Sequence, residues 1–366
     1  MSQARGKKIL HLLDRYLGIP IVYFLGFLHK KKKQPQEIKK IAIFLFGAIG
    51  DSIIASSTIN DLQNHYKQVR ITVFITQDNA GIFSLFAPPY DTEILPLASP
   101  ISAIRQIRKS NYDVLLDYNQ WIRLSAIFSF FCKAKYKIGF ATPAQFRHYV
   151  YDLAIEHSNV VHEIENYRNL VATLGVSERS KTKIMVSNEA YAKIKSLHLS
   201  NYVIFHLRAS GVKSALKCWA IEKWFDLVKY VMERGYTVIL TGGESDIALV
   251  DELMVKVGDD KIRSFAGKLT LMETAALLSG AKLLVTVNTG IMHLGAALHV
   301  KMVVLNGPVN INRWGPIADG NDATIVFPFG VSHGYISLGF EDDPEETKCM
   351  DFISSNAVRA AVEKYL

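Results

Sequence analysis

From residue 41 onward, apolar runs alternate with amphipathic stretches. Runs rich in β-branched and aromatic residues read as strands at 41–47 (IAIFLFG), 70–76 (RITVFIT), 92–97 (TEILPL), 112–118 (YDVLLDY) and 136–141 (YKIGFA). Helical periodicity fills 51–66, about 79–87, 99–109 and 121–133. Strands alternating with helices predict βαβ units on a parallel sheet. A helical stretch within 157–180 (HEIENYRNLVATLG) leads toward a linker. The alternation then restarts, with strands at 202–207, 236–243, 262–267, 283–289 and 302–307 and helices at 220–234, 245–256, 271–279 and 290–298. A last amphipathic helix covers 354–366.

The chain has 366 residues, too many for one ordinary core, so two α/β domains are expected. The boundaries read as an N-terminal segment 1–40, a first Rossmann-like domain 41–180, a second 181–350, and a C-terminal helix 351–366. Two doubly wound domains facing each other place a ligand cleft between the carboxyl ends of their strands. Cys132, Cys218 and Cys349 are far apart and form no CxxC pair, which suits a reducing compartment with neither disulfide frame nor zinc site.

The formal net charge is +8, and residues 1–40 carry all of it: ten Lys/Arg against Asp14 and Glu37. The rest balances, which is not the pattern of a nucleic-acid binder. Within the basic segment, YLGIPIVYFLGFL (16–28) is too short to span a bilayer, and Lys30 to Lys33 follow it at once. An apolar aromatic stretch bracketed by lysines suits an anionic membrane surface. The plain alternative is a first helix packed on the body and a solvated lysine run.

Four stretches carry candidate chemistry. Gly47-Ala48-Ile49-Gly50-Asp51 follows the first strand and opens a helix: the glycines allow a sharp turn and close ligand approach, and Asp51 sits in the first helical turn. It reads equally as a helix cap. It lacks the GxGxxG spacing of a dinucleotide site. FHLRASGVKSALKCWAIEKW (205–224) puts Arg208, Ser210, Gly211, Lys213 and Lys217 between a strand and a helix, as a phosphate site or a solvated basic loop. TGGESD (241–246) ends a strand with Gly242 and Gly243, and Glu244 is placed to accept from ribose hydroxyls or to cap the next helix. VTVNTGIMHLGAAL (285–298) ends a strand at Asn288-Thr289-Gly290; the helix start makes an anion cradle, and His293 is either a substrate contact or a core histidine.

Taken in this order, with IGF (138–140), GKLTLMETAALLSGAKLLVTVNTGIMHLGAAL (267–298) and NGPVNINRWGP (306–316), the series resembles glycosyltransferase family 9, the lipopolysaccharide heptosyltransferases, over about residues 40–320. The resemblance implies a GT-B fold, with acceptor on the first domain and nucleotide-sugar, ADP-heptose, on the second. It implies inverting transfer to a lipid-linked core oligosaccharide, with neither metal nor cofactor, on the cytoplasmic face of the inner membrane. It places a general base at Asp51 and a donor-phosphate contact at Lys217. Further donor contacts fall at Ser210, Gly243, Glu244, Leu269, Asn288, Thr289, Gly290 and His293, with Gly47 and Gly50 shaping the turn. The series departs from the family at Asn288, where an Asp is usual. Two rival readings stand beside this one: a GT-B enzyme with another nucleotide-sugar or an epimerase activity, and a non-catalytic GT-B scaffold.

Overall fold

A computed structural model of the chain describes residues 8–87, 90–211, 213–320, 322–339, 341 and 348–366. It divides into two compact units, the first ending at Lys183 and the second beginning at Ile184.

The first unit is built on six strands: β1 (Lys40–Phe44), β2 (Arg70–Ile75), β3 (Asp91–Ile94), β4 (Tyr112–Asp117), β5 (Ala134–Ala141) and β6 (Leu153–Glu156). They lie in the order β3-β2-β1-β4-β5-β6, all parallel. The apolar runs read as β1, β2 and β4 are buried on both faces, as parallel sheets require, whereas β3, also read from the sequence, is an exposed edge strand. The reading missed β6. This edge strand, LAIE, is only half-buried and four residues long, so it leaves no continuous apolar run. The helix expected within 157–180 is Glu163–Ala172, and the chain beyond it stays on this unit: Ser180 N donates to Asp61 Oδ1 (2.6 Å) and Thr182 Oγ1 to the Ile53 carbonyl (2.9 Å).

Ahead of β1 run two helices, Lys8–Tyr16 and Gly18–Leu28. The second docks on the unit through Val22 and Leu25, which join Ala126, Val150 and Tyr151 in one apolar cluster. A Cβ at Gly26 would sit 2.4 Å from that of Tyr149, so only glycine permits this approach.

The second unit repeats the plan with β7 (Tyr202–His206), β8 (Thr237–Thr241), β9 (Ile262–Ser264), β10 (Leu283–Val287), β11 (Met302–Leu305) and β12 (Ala323–Val326). Their order is β12-β11-β10-β7-β8-β9, again all parallel. Counted within its own unit, each sheet therefore runs 3-2-1-4-5-6, the doubly wound Rossmann order. Edge strand β12 and the helix Asn188–Lys195 were missed; both are short and partly exposed. The C-terminal helix Ser355–Glu363 does not stand apart, because Val358, Ala361 and Val362 belong to the main core of this unit.

Candidate active site

In a doubly wound sheet, ligands bind beyond the carboxyl ends of the strands, where the winding reverses. In the first unit that point lies between β1 and β4; in the second, between β7 and β10.

Beyond β1 the chain turns at Gly47-Ala48 into the helix Ile49–His65. Asp51 Oδ2 accepts the Ala48 N–H at 2.7 Å, so the carboxylate caps its own helix. Its side chain lies back over Gly47, where a Cβ would meet Asp51 Cβ at 2.6 Å. Gly50 is buried in the first helical turn. The turn is pinned from both neighbouring strands. Asn79, after β2, donates from Nδ2 to the Leu45 carbonyl (3.0 Å) and Ser52 Oγ (2.9 Å). Asn119, after β4, accepts the Phe46 N–H (3.0 Å) and donates to the Phe44 carbonyl (3.2 Å). Asp51 and Gly47 share a notch of about 30 Å³ with Tyr118, Asn119, Gln120, Trp121 and Tyr167.

Beneath Asn119 lies a fully buried network. Asp117 Oδ1 accepts from Asn119 Nδ2 (2.8 Å), while Oδ2 accepts from Arg147 Nη2 (2.7 Å), the Tyr151 hydroxyl (2.7 Å) and Ser129 Oγ (3.2 Å). Arg147 also donates to the carbonyls of Asn119 and Ile122. Burial raises the Tyr151 phenol well above its usual pKa, against the lowering effect of Arg147, so it remains a donor. None of Asn79, Asp117, Asn119 or Arg147 was picked out from the sequence. DYNQW (117–121) is a polar run at a strand end, but its meaning depends on β4 lying beside β1.

In the second unit, the candidate residues follow the carboxyl ends of four neighbouring strands. After β7 come Arg208, exposed Ser210 and Gly211, then Lys213 and Lys217. Lys213 Nζ donates to the Glu341 carbonyl. Lys217 closes a 3₁₀ turn, Ser214–Lys217, and the buried Trp219 just beyond anchors that turn by donating from Nε1 to the Ile353 carbonyl (3.0 Å). His206, at the end of β7, is buried against Thr241 Oγ1 (3.1 Å); burial pushes its pKa down to about 4, opposed by Asp246. After β8, Asp246 Oδ2 accepts the Gly243 N–H (2.9 Å), so capping falls to Asp246 and leaves Glu244 exposed at the turn. Gly267 N donates to the Gly242 carbonyl (2.9 Å), which brings the Leu269 loop after β9 beside this turn.

After β10, Asn288 Nδ2 donates to Asn306 Oδ1 (3.0 Å) and the Trp314 carbonyl (3.1 Å). Thr289 Oγ1 accepts from Ile291 N (3.1 Å) and Met292 N (3.3 Å), so this hydroxyl caps the helix Gly290–Ala297. His293 is buried within this helix. Among the described residues, no group of three or more His, Cys, Asp or Glu side chains is gathered as a metal site.

Two parallel doubly wound units of this kind are the build of a GT-B protein. The structure resembles the glycosyl transferase family 9 protein from Veillonella parvula with a TM-score of 0.75 at 20% identity, covering 90% of this chain and 98% of that one. It resembles Escherichia coli heptosyltransferase WaaC, solved with ADP-2-deoxy-2-fluoro heptose, at a TM-score of 0.67 and 18% identity, over 89% of this chain and all of that one. Residues 101–330 match the family model of glycosyltransferase family 9 (heptosyltransferase). The chain belongs to that family and is a glycosyltransferase. In sequence it is 25% identical to lipopolysaccharide heptosyltransferase 3 of Escherichia coli K12, over 87% of this chain and 95% of that protein.

Proposed function

We propose that the protein transfers a heptose from ADP-heptose to a lipid-linked lipopolysaccharide core oligosaccharide, with inversion and without a metal ion. The family relationship supports the sugar and the acceptor class. The observation that carries the mechanism is Asp51, held by Ala48 N–H in a small notch at the switch point of the first unit. In this reading an acceptor hydroxyl enters the notch and gives its proton to Asp51. Its oxygen bonds to the anomeric carbon as the bond from that carbon to the diphosphate oxygen breaks on the opposite face. ADP leaves with the bonding electrons. Lys217, Ser210 and the Asn288-Thr289-Gly290 turn hold the diphosphate, where cationic and backbone donors offset its growing charge. Glu244 takes the ribose hydroxyls, Gly243 lets them approach, and Leu269 lies along the adenine. His293 supports the turn from behind.

The local geometry of Asp51 also has a purely structural counterpart. Gly242 and Asp246 in the second unit repeat the spacing, the glycine crowding and the cap. Around Asp51 the notch is walled by Tyr118 and Trp121. The deciding experiment is transfer followed by mass spectrometry, using ADP-heptose, other nucleotide-sugars and a truncated core acceptor. Wild type adds a heptose mass, in EDTA as well as without it, and Asp51→Asn loses about 10² to 10⁴ in rate. An unimpaired Asp51→Asn variant rejects the base, and a product with another donor only rejects ADP-heptose.

The acceptor reading places the protein on the cytoplasmic face of the inner membrane as a peripheral protein. Among the described residues, no helix is long and apolar enough to cross a membrane.

A further inference from the structure

From Leu12 to Leu28 the two N-terminal helices dock through few side chains and turn most of their apolar surface outward. Tyr16, Leu17, Tyr23, Phe24, Phe27 and Leu28 are all exposed, Phe27 to 85%. Asp14 does not interrupt this face, because its carboxylate turns inward to Arg123 Nη1 (3.0 Å) and the Arg123 and Leu124 N–H groups. The body of the unit extends the patch: Tyr149 meets Tyr23 edge-on at 5.3 Å, and exposed Phe146 stands in the same turn. Lys30 to Lys33 follow directly. Their backbone is fixed, since buried Asp152 accepts from Lys32 N (2.7 Å) and His29 Nε2 (3.1 Å). At the border lies a cavity of about 420 Å³, lined by Lys31, Thr142, Phe146 and His148 among others.

We propose that these parts form one rigid footprint for an anionic lipid surface. This rests on the peripheral membrane reading above and adds the residues and the orientation. An eleven-residue helix cannot span a bilayer but can lie in its headgroup boundary, with aromatic side chains down. Tyrosines sit at that boundary, and lysines beside them attract anionic lipids. A second copy of the chain fits the patch poorly, because a two-fold contact would bring two lysine runs together. The footprint includes Phe146 and Tyr149, so the membrane meets a folded face and not a loose tail.

Flotation of the full chain tests this without donor or transfer, so its outcome is independent of the catalytic reading. The vesicles are phosphatidylcholine alone, or with about one third phosphatidylglycerol. Binding is expected on the anionic vesicles. Phe24→Ser with Phe27→Ser, both at exposed positions, lowers it at least tenfold, whereas Phe329→Ser, equally exposed but in the second unit, leaves it unchanged. Each Lys→Gln change lowers binding about fivefold. Wild-type binding by the double Phe variant, or equal binding to neutral vesicles, overturns the footprint. A dimer that the double Phe variant abolishes, with no vesicle binding, would assign the face to a second copy.

Discussion

Asn288 stands where the family resemblance implies a carboxylate, and its amide fits the partners that it meets. Both of its hydrogen bonds run outward from Nδ2 to acceptors, and the Trp314 carbonyl can only accept. Asn306 is committed as well, since its own Nδ2 donates to the Val309 carbonyl (2.8 Å). A carboxylate at 288 would face two acceptors in a buried site. Asn288→Asp is therefore expected to cost about 2–4 kcal/mol, read as a lower urea midpoint. An unchanged midpoint would show that the amide is not a strut. His206 makes a second prediction at this scale. Its folded pKa, about 4, lies below the 6.5 of an unfolded histidine, so the unfolded chain binds the extra proton. The stability that neutral His206 contributes is complete above about pH 6.5 and is lost as pH falls toward 4. His206→Gln should remove on the order of 2–3 kcal/mol of the difference between unfolding at pH 7.5 and at pH 4.5. An unaltered acid slope would place the titration elsewhere.

Among elements, the turn after β1 owes its shape to its neighbours. Asn79 reaches it from β2 and Asn119 from β4, and Asn119 is itself held by Asp117 and Arg147. Arg147 is thus a positioning residue for the Asp51 notch, acting through Asn119. Its charge is buried with that of Asp117, and removing one member leaves the other uncompensated. Arg147→Met is expected to lower stability by about 3–5 kcal/mol in urea unfolding. Transfer by the variant that remains folded should also fall, and full activity would disconnect the network from the site.

For the whole molecule, the N-terminal segment is a structural part of the first unit as well as its proposed lipid contact. Removing residues 1–36 would expose Ala126, Val150 and Tyr151, take Asp14 from Arg123, and take His29 and Lys32 from Asp152. Loss of buried Val22 and Leu25 alone costs about 3–6 kcal/mol. The truncated chain should therefore melt well below the full one in calorimetry, and a lost function in that variant would not report on lipid. An unchanged melting temperature would show that the helices merely rest on the surface. The second unit closes in a comparable way at its far end, where Trp219 and Lys223 bond to the Ile353 carbonyl and the C-terminal helix completes the core.

The strands buried on both faces were legible because a parallel sheet writes its centre as uninterrupted apolar runs, as in β1, β4, β7 and β10. The glycine turns and their acids were legible too, since tight turns and helix starts impose local residue choices at Gly47, Asp51, Gly242 and Thr289. Edge strands β6 and β12 were not, because each is four residues long and half-exposed, whereas the edge strand β3 was read from an apolar run that continues beyond it to Leu97. Local sequence also left open which acid of TGGESD caps its helix, and the fold gave that task to Asp246. The supports of the candidate site depended wholly on tertiary structure. Asn79, Asn119 and Arg147 are separated from Gly47 by 32, 72 and 100 positions in the chain, and only the order β2-β1-β4 and the turn after β5 bring them to it. Hydrogen bonds between strand ends depend on neighbours in space, which no local pattern of polar and apolar residues records.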